Sequence, residues 1–223
     1  MSLPERPRRR TQEERTAETR ARVIEATLVA LLERGYARCT TADIADRAGV
    51  SRGALSHHFE SKEALVAEAV EWQLDVSTAA IRALADDVAT GVLPLDAFLD
   101  RIWEMFRGRL FLVTLEHVTE ARHNAPLRAR LVPVVRDFHR ALDEIWRRYF
   151  ERAGLSESEI ETTLNATLCL MRGMGLQTVL RDDPPYFARL LEWWKAEMTR
   201  LLAPRRPDAS LSRSPRGPLR IPS

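Results

Sequence analysis

The sequence predicts an all-α protein. Apolar residues recur three and four apart along most of the chain, and no stretch alternates with the period of two that a strand requires. The breaks between periodic runs are short and marked by Gly, Pro, Asn or Asp. With 223 residues, 45% of them hydrophobic, the chain is long enough to bury one or two cores.

Each element can be placed from its own punctuation. Residues 1–11 (MSLPERPRRRT) are aperiodic and cationic and read as a flexible basic arm. A helix follows from Gln12 to about Glu33, with Val23, Ile24, Thr27, Leu28, Leu31 and Leu32 on one face and Gly35 as its stop. In "TTADIADRAGVS" the threonine hydroxyls suit a cap, Ile44, Ala45 and Ala48 share a side, and Gly49 ends a helix of barely two turns. Ser51 caps the next helix, which reaches about His58 with Leu55 inward, and Ser61 caps another whose first turn holds Lys62 and Glu63. Long helices then succeed one another at about 62–90, 94–107, 108–123, 126–153, 156–181 and 185–202. Residues 204–223, with five Pro, five Arg and little to bury, read as a disordered tail.

The formal charge is only +2, yet its distribution is uneven. Residues 1–63 carry 12 basic and 10 acidic side chains, residues 64–203 carry 17 and 21, and residues 204–223 carry five and one. Basic ends around an acidic middle point to an anionic partner at one end. Two cysteines, Cys39 and Cys169, and the lack of a leader-like or long apolar run predict a cytoplasmic chain with neither disulfide framework nor membrane span. No nucleotide loop, nucleophile elbow or zinc spacing occurs, so no enzyme, cofactor or metal is predicted.

A two-turn helix is marginal in water unless tertiary packing holds it. In a helix-turn-helix, the first helix and the turn hold a second helix out from the surface, where it can enter a DNA major groove about 12 Å wide. The arrangement needs a small residue where the helices touch, a glycine in the turn and an apolar residue after it. Ala45, Gly49 and Val50 occupy those places, with Leu55 as the plug into the core. Arg52, Ala54, Ser56, His57 and His58 are then left outward, with Gly53 offering bare backbone. These are short or polar groups able to approach phosphates and base edges. Lys62 opens the following helix, where its charge opposes the helix dipole unless an anion such as a DNA phosphate is near. Arg8, Arg9 and Arg10 fit a minor-groove arm and equally a solvated charge run.

"TTADIADRAGVSRGALSHHFESKEAL", with the helix before it, resembles the DNA-binding domain of the TetR family of bacterial transcriptional regulators. The resemblance spans about residues 15–65 and rests on T-x-x-x-I-A, A-G-V-S-x-G-x-L, H-F and S-K-E-x-L in register. It implies a three-helix helix-turn-helix domain over 12–63 and a larger helical ligand-binding and dimerisation domain over 64–203. It also implies that Thr40 and Thr41 approach phosphate, that Ser51, Arg52, Gly53 and His57 face the groove or its edge, and that Lys62 grips the backbone. Ser56 and His58 complete the candidate DNA-contacting set. The family usually has tyrosine, touching phosphate, where this chain has Ser56, which reaches less far.

The resemblance further implies a homodimer on a two-fold-symmetric double-stranded operator, most often a repressor, released by a small-molecule effector. Two alternatives stay open: an all-α ligand-binding bundle or enzyme with a vestigial DNA-binding region, and a DNA-binding activator without effector.

The second half of the chain stands on its own residues. In "PYFARLLEWWKAEMTRLL", Phe187, Leu191, Trp194, Met198 and Leu201 form one stripe and Tyr186, Leu190 and Trp193 a second, rotated by about 100°. Two stripes suit burial by the protein's own core and by a partner subunit. The preceding helix offers Ile160, Leu164, Leu168 and Met171, with Gly173 and Gly175 permitting close approach. The pair would form half of an intersubunit four-helix bundle, or simply core. Trp103, Phe106, Phe111, Met171 and Met174 suit an apolar ligand cavity with His117, Arg172 or Gln177 as polar selectors, and suit a plain core as well. His117, Glu120 and His123 lie at i, i+3 and i+6, and Glu120-x-x-His123 matches half of a carboxylate-bridged di-iron motif, but no second copy occurs and hydrogen bonding is the ordinary reading. Cys39 beside Thr40 reads as an inert small residue rather than a redox switch.

Overall fold

The structure is a computed structural model and describes residues 11–150 and 154–203. Arg8 to Arg10 and the Pro/Arg-rich tail lie outside the described residues. Within them the chain forms α1 (Gln12–Arg38), α2 (Thr41–Ala48), α3 (Arg52–His58), α4 (Lys62–Ala89), α5 (Leu95–Phe106), α6 (Arg109–Ala121), α7 (Ala125–Phe150), α8 (Glu157–Thr178) and α9 (Pro184–Leu202), and no strand.

The caps explain where these helices start. Thr11 with Glu14, Thr40 with Asp43 and Ser156 with Glu159 form reciprocal capping boxes, while Ser51 and Ser61 accept from the backbone N–H groups of Ala54 and Ala64. Asn124 accepts from Leu127 to open α7, and Asp183 caps α9 ahead of Pro184 and Pro185.

One expected stop is instead a kink. Gly35 adopts φ 70° and ψ 167°, after which the chain turns helical again as far as Arg38. The reason is Tyr36, whose ring is buried against the body of the protein and whose backbone N–H donates to Glu116 at 3.1 Å. A Cβ at position 35 would stand 2.9 Å from that same carboxylate and displace it, but the positive φ is what requires glycine.

A continuous core runs through the molecule. Val23, Leu28, Leu31, Ile44, Ala45, Leu55 and Leu65 tie α1–α3 to the start of α4, and α4 then packs along α7. Two buried threonines on α8 fix its neighbours: Trp146 of α7 donates to Thr163 and Trp194 of α9 donates to Thr167, each at 3.1 Å. Each indole N–H is thereby satisfied in the interior, a bond worth about 1 kcal/mol net.

The α8 residues predicted to meet a partner subunit are already covered within one chain. Ile160, Leu164 and Leu168 are buried inside the single chain, because α8 turns that stripe to α7 and the body's core. On α9 the two stripes separate as expected: Phe187, Leu191, Trp194 and Met198 are buried, Tyr186 and Leu190 are half-buried, and Trp193 is 57% exposed. Leu201, at the helix end, is exposed rather than buried.

Candidate nucleic-acid interface and apolar cavity

Gly49 turns the chain between α2 and α3 with φ 65° and ψ 39°, a left-handed conformation that glycine adopts without the Cβ penalty. The N–H of Val50 closes back on the Ala45 carbonyl at 3.0 Å, and Ala45 itself is fully buried where the helices meet. Leu55 and Phe59 sink into the core, which leaves Ser51, Arg52, Gly53, Ser56 and His57 exposed and His58 half-buried. Neighbouring arginines are committed to acids: Arg20 to Glu68, Arg34 to Asp43 and Arg47 to Glu33. Arg52 has no such partner among the described residues and is the cation of this face left for an anion.

Several predicted contacts are already engaged within the protein. The Thr40 hydroxyl accepts from the Asp43 N–H at 3.1 Å and donates to its carboxylate at 2.6 Å, while Thr41 is exposed. Ser56 donates its only proton to the Gly53 carbonyl at 3.1 Å. The Lys62 ammonium is not an unpaired charge opposing a dipole: it donates to the Tyr36 carbonyl at 2.6 Å and lies 3.9 Å from the centre of the Tyr36 ring. The kink at Gly35 brings that carbonyl, at the negative end of α1, to the start of α4. Lys62 therefore ties α1 to α4, and only its remaining N–H groups can serve a phosphate. Cys39 is fully buried and burial raises its thiol pKa, which suits the inert reading.

In the helical body, α4 to α8 border a mostly apolar, half-open cavity of about 410 Å³. Of the residues predicted to line one, Phe106, Phe111, His117 and Arg172 do so. Trp103 lines a separate cleft with Phe187, Met171 and Met174 are buried core, and Gln177 is exposed. Leu74, Phe138 and His139 also line the cavity and were not anticipated, since a periodic apolar position does not say which neighbour it meets.

His117 is 2% exposed, and neither ring nitrogen has a hydrogen-bond partner. Burial pushes its pKa down to about 4, while the Val113 carbonyl one turn back pulls weakly the other way without reaching hydrogen-bond geometry. The folded protein thus binds fewer protons than the unfolded chain between about pH 4 and 6.5. This contribution to stability is complete above pH 6.5 and lost as pH falls to 4, by about 3 kcal/mol. Urea unfolding across that range should show the loss, and His117→Phe should flatten the slope by up to one proton; an unchanged slope contradicts the assignment.

The opposite side of the same helix, α6, grips the N-terminal domain. Glu116 accepts from the Tyr36 N–H, and Arg109 pairs with Glu25 through contacts of 2.9 and 3.0 Å. Asn124, just past α6, donates to the Tyr36 hydroxyl at 3.2 Å and to Glu120 at 3.3 Å, and the hydroxyl in turn donates to Glu63 at 3.1 Å. Burial first and Glu63 second raise the Tyr36 pKa, so the phenol stays protonated as a donor. Glu120 is held in this joint while His117 lines the cavity. No group of three His, Cys, Asp or Glu side chains is placed to hold a metal among the described residues.

A short exposed helix held out by a glycine turn, with its apolar side locked in a helical body, defines a DNA-binding regulator of the helix-turn-helix type. Residues 23–69 match the family described as "Bacterial regulatory proteins, tetR family". The chain is 32% identical over 184 residues to the HTH-type transcriptional regulator CymR of Pseudomonas putida, an alignment covering 82% of this chain and 91% of that protein. It therefore belongs to the TetR family of bacterial regulatory proteins. Against the HTH-type transcriptional regulator TtgR, also of Pseudomonas putida, identity is 57% over 58 residues, 26% of this chain and 27% of TtgR. The fold is shared with the crystal structure of a TetR transcription regulator from Haloarcula marismortui, with a TM-score of 0.62 at 20% identity over 83% of this chain and 97% of that one.

Proposed function

We propose that this regulator is a homodimeric repressor that acts in the cytoplasm, binds a two-fold-symmetric operator and releases it when a small molecule fills the cavity among α4–α8. The observation that carries the reading is the double engagement of α6. One side lines the cavity through Thr114, His117 and Val118, and the other holds α1 through Glu116 and Arg109. A ligand that displaces α6 moves the domain that carries α3, and α4, which contributes Leu74 to the cavity, is separated from α3 by only three residues. The effector acts only through unequal affinity for the two arrangements, so a cavity wall that is also the domain joint is where such a difference can arise.

Fragments selected by the protein from its source genome would define the operator. On that operator Arg52→Ala is expected to cost about 1–3 kcal/mol while barely affecting random DNA, as a base contact should. Equal losses on both would reassign Arg52 to the phosphate backbone.

A further inference from the structure

The cavity wall is mostly apolar; its polar side chains are Thr114, His117, His139 and Arg172. Arg172 of α8 is half-buried, and its Nη2 lies 2.9 Å from His139 Nε2 of α7. The guanidinium has only donors, so it donates and His139 is neutral. Burial and then the neighbouring Arg172 charge both lower the His139 pKa, in keeping with that state. Arg109 pairs with Glu25 and Arg181 with Asp183, whereas Arg172, the arginine that lines the cavity, has no carboxylate pair among the described residues. Partial burial lowers its pKa too. His117 adds a neutral ring with one donor and one acceptor, both unpartnered and out of reach of solvent.

The site thus holds one positive charge lacking its counter-ion, one unpartnered imidazole and walls of Phe106, Phe111, Phe138 and Leu74. Resting on the effector reading above, we propose that the effector is a hydrophobic monocarboxylate whose carboxylate pairs with Arg172, whose aryl or alkyl body lies on those rings, and which hydrogen-bonds His117. The planar fork of a guanidinium matches a carboxylate in two-point fashion. A phosphate dianion would bring two charges to one cation and two neutral rings beside a mostly apolar wall, so a single carboxylate is the better fit.

The test is calorimetric titration of the full chain with octanoate and 3-phenylpropanoate beside their primary amides, octanamide and 3-phenylpropanamide, with operator release followed in parallel by electrophoretic shift. The acids should bind at least about tenfold more tightly than the matched amides, a difference of about 1.4 kcal/mol. Arg172→Met should abolish that preference, acids losing at least about tenfold more affinity than the matched amides, and Arg172→Lys should keep part of it, having the charge without the fork. Arg172→Gln serves the same purpose should the Met variant not fold.

Amides binding as tightly as acids, acids binding undiminished to the Met or Gln variant, or neither class binding would each overturn the carboxylate assignment. Acids that bind through Arg172 but leave the operator complex intact would uphold that assignment and overturn the effector reading. Amides that release the operator as readily as acids would do the reverse.

Discussion

Alanine at position 175 is expected to lower the stability of the protein by about 2 kcal/mol, whereas alanine two residues earlier, at 173, should leave it unchanged or raise it by up to about 1 kcal/mol. Both glycines lie inside α8, so helix propensity favours alanine equally at each. Packing decides between them. A Cβ at 175 would stand 2.7 Å from the Phe106 carbonyl oxygen and 3.2 Å from the Phe111 ring, and a backbone oxygen at the end of α5 cannot rotate aside. At 173 no atom lies within 4 Å. Because Phe111 also lines the cavity, Gly175→Ala should weaken effector binding as well as shift the urea midpoint. Equal midpoints for the two variants would refute the close approach. A fall in dimer affinity for Gly173→Ala, at unchanged protomer stability, would place a partner helix against the outward side of α8.

The contrast between these glycines illustrates what sequence could and could not reveal. Both were visible as sites of close approach, but the neighbour that each one meets depends on how α8 is rotated against α5 and α6. The same ambiguity misassigned Ile160, Leu164 and Leu168, whose spacing fixes a face but not the element it packs on. The reading domain was legible almost residue by residue because its determinants are local. Thr40, Ser51 and Ser61 cap within three residues of themselves, and Gly49 must accept a positive φ.

Lys62 marks the boundary of that legibility. Its position at the start of α4 was read correctly, but its partner is a carbonyl 26 residues earlier, delivered by the kink at Gly35 and the anchoring of Tyr36. In the cavity, Phe106, Phe111, His117 and Arg172 were recognisable as a mixed apolar and polar set. His139 was not, because a histidine on an otherwise exposed side of α7 becomes informative only when Arg172 is seen to donate to it. Chemistry carried by one short segment could be read from the sequence; chemistry assembled across helices could not.

The largest loss of operator affinity is expected from Trp193→Glu, a substitution remote from the reading helix. Trp193 is 57% exposed beside the buried ring of Trp194, with half-buried Leu190 and Tyr186 on earlier turns of the same side of α9. Thr167 accepts from Trp194 and so fastens α9 to α8, whose outward residues include Cys169, Gly173 and Leu176. An indole left largely in water at the edge of such a surface is what a partner copy would bury, and each copy would contribute one. Burying a glutamate there instead would place two like charges near the two-fold axis, each stripped of water. The protein should then sediment as a monomer with its helical signal intact, since Trp193 contributes little to the core of one chain. With one reading helix rather than two on the operator, affinity should fall by roughly 10²–10⁴-fold, the usual gain from joining two binding modules. Trp193→Phe should remain dimeric, because a second aromatic ring keeps most of the apolar area. A glutamate variant that stays dimeric would move the interface off this side of α9, and a monomer that still grips the operator at full affinity would sink the dependence of DNA binding on dimerisation.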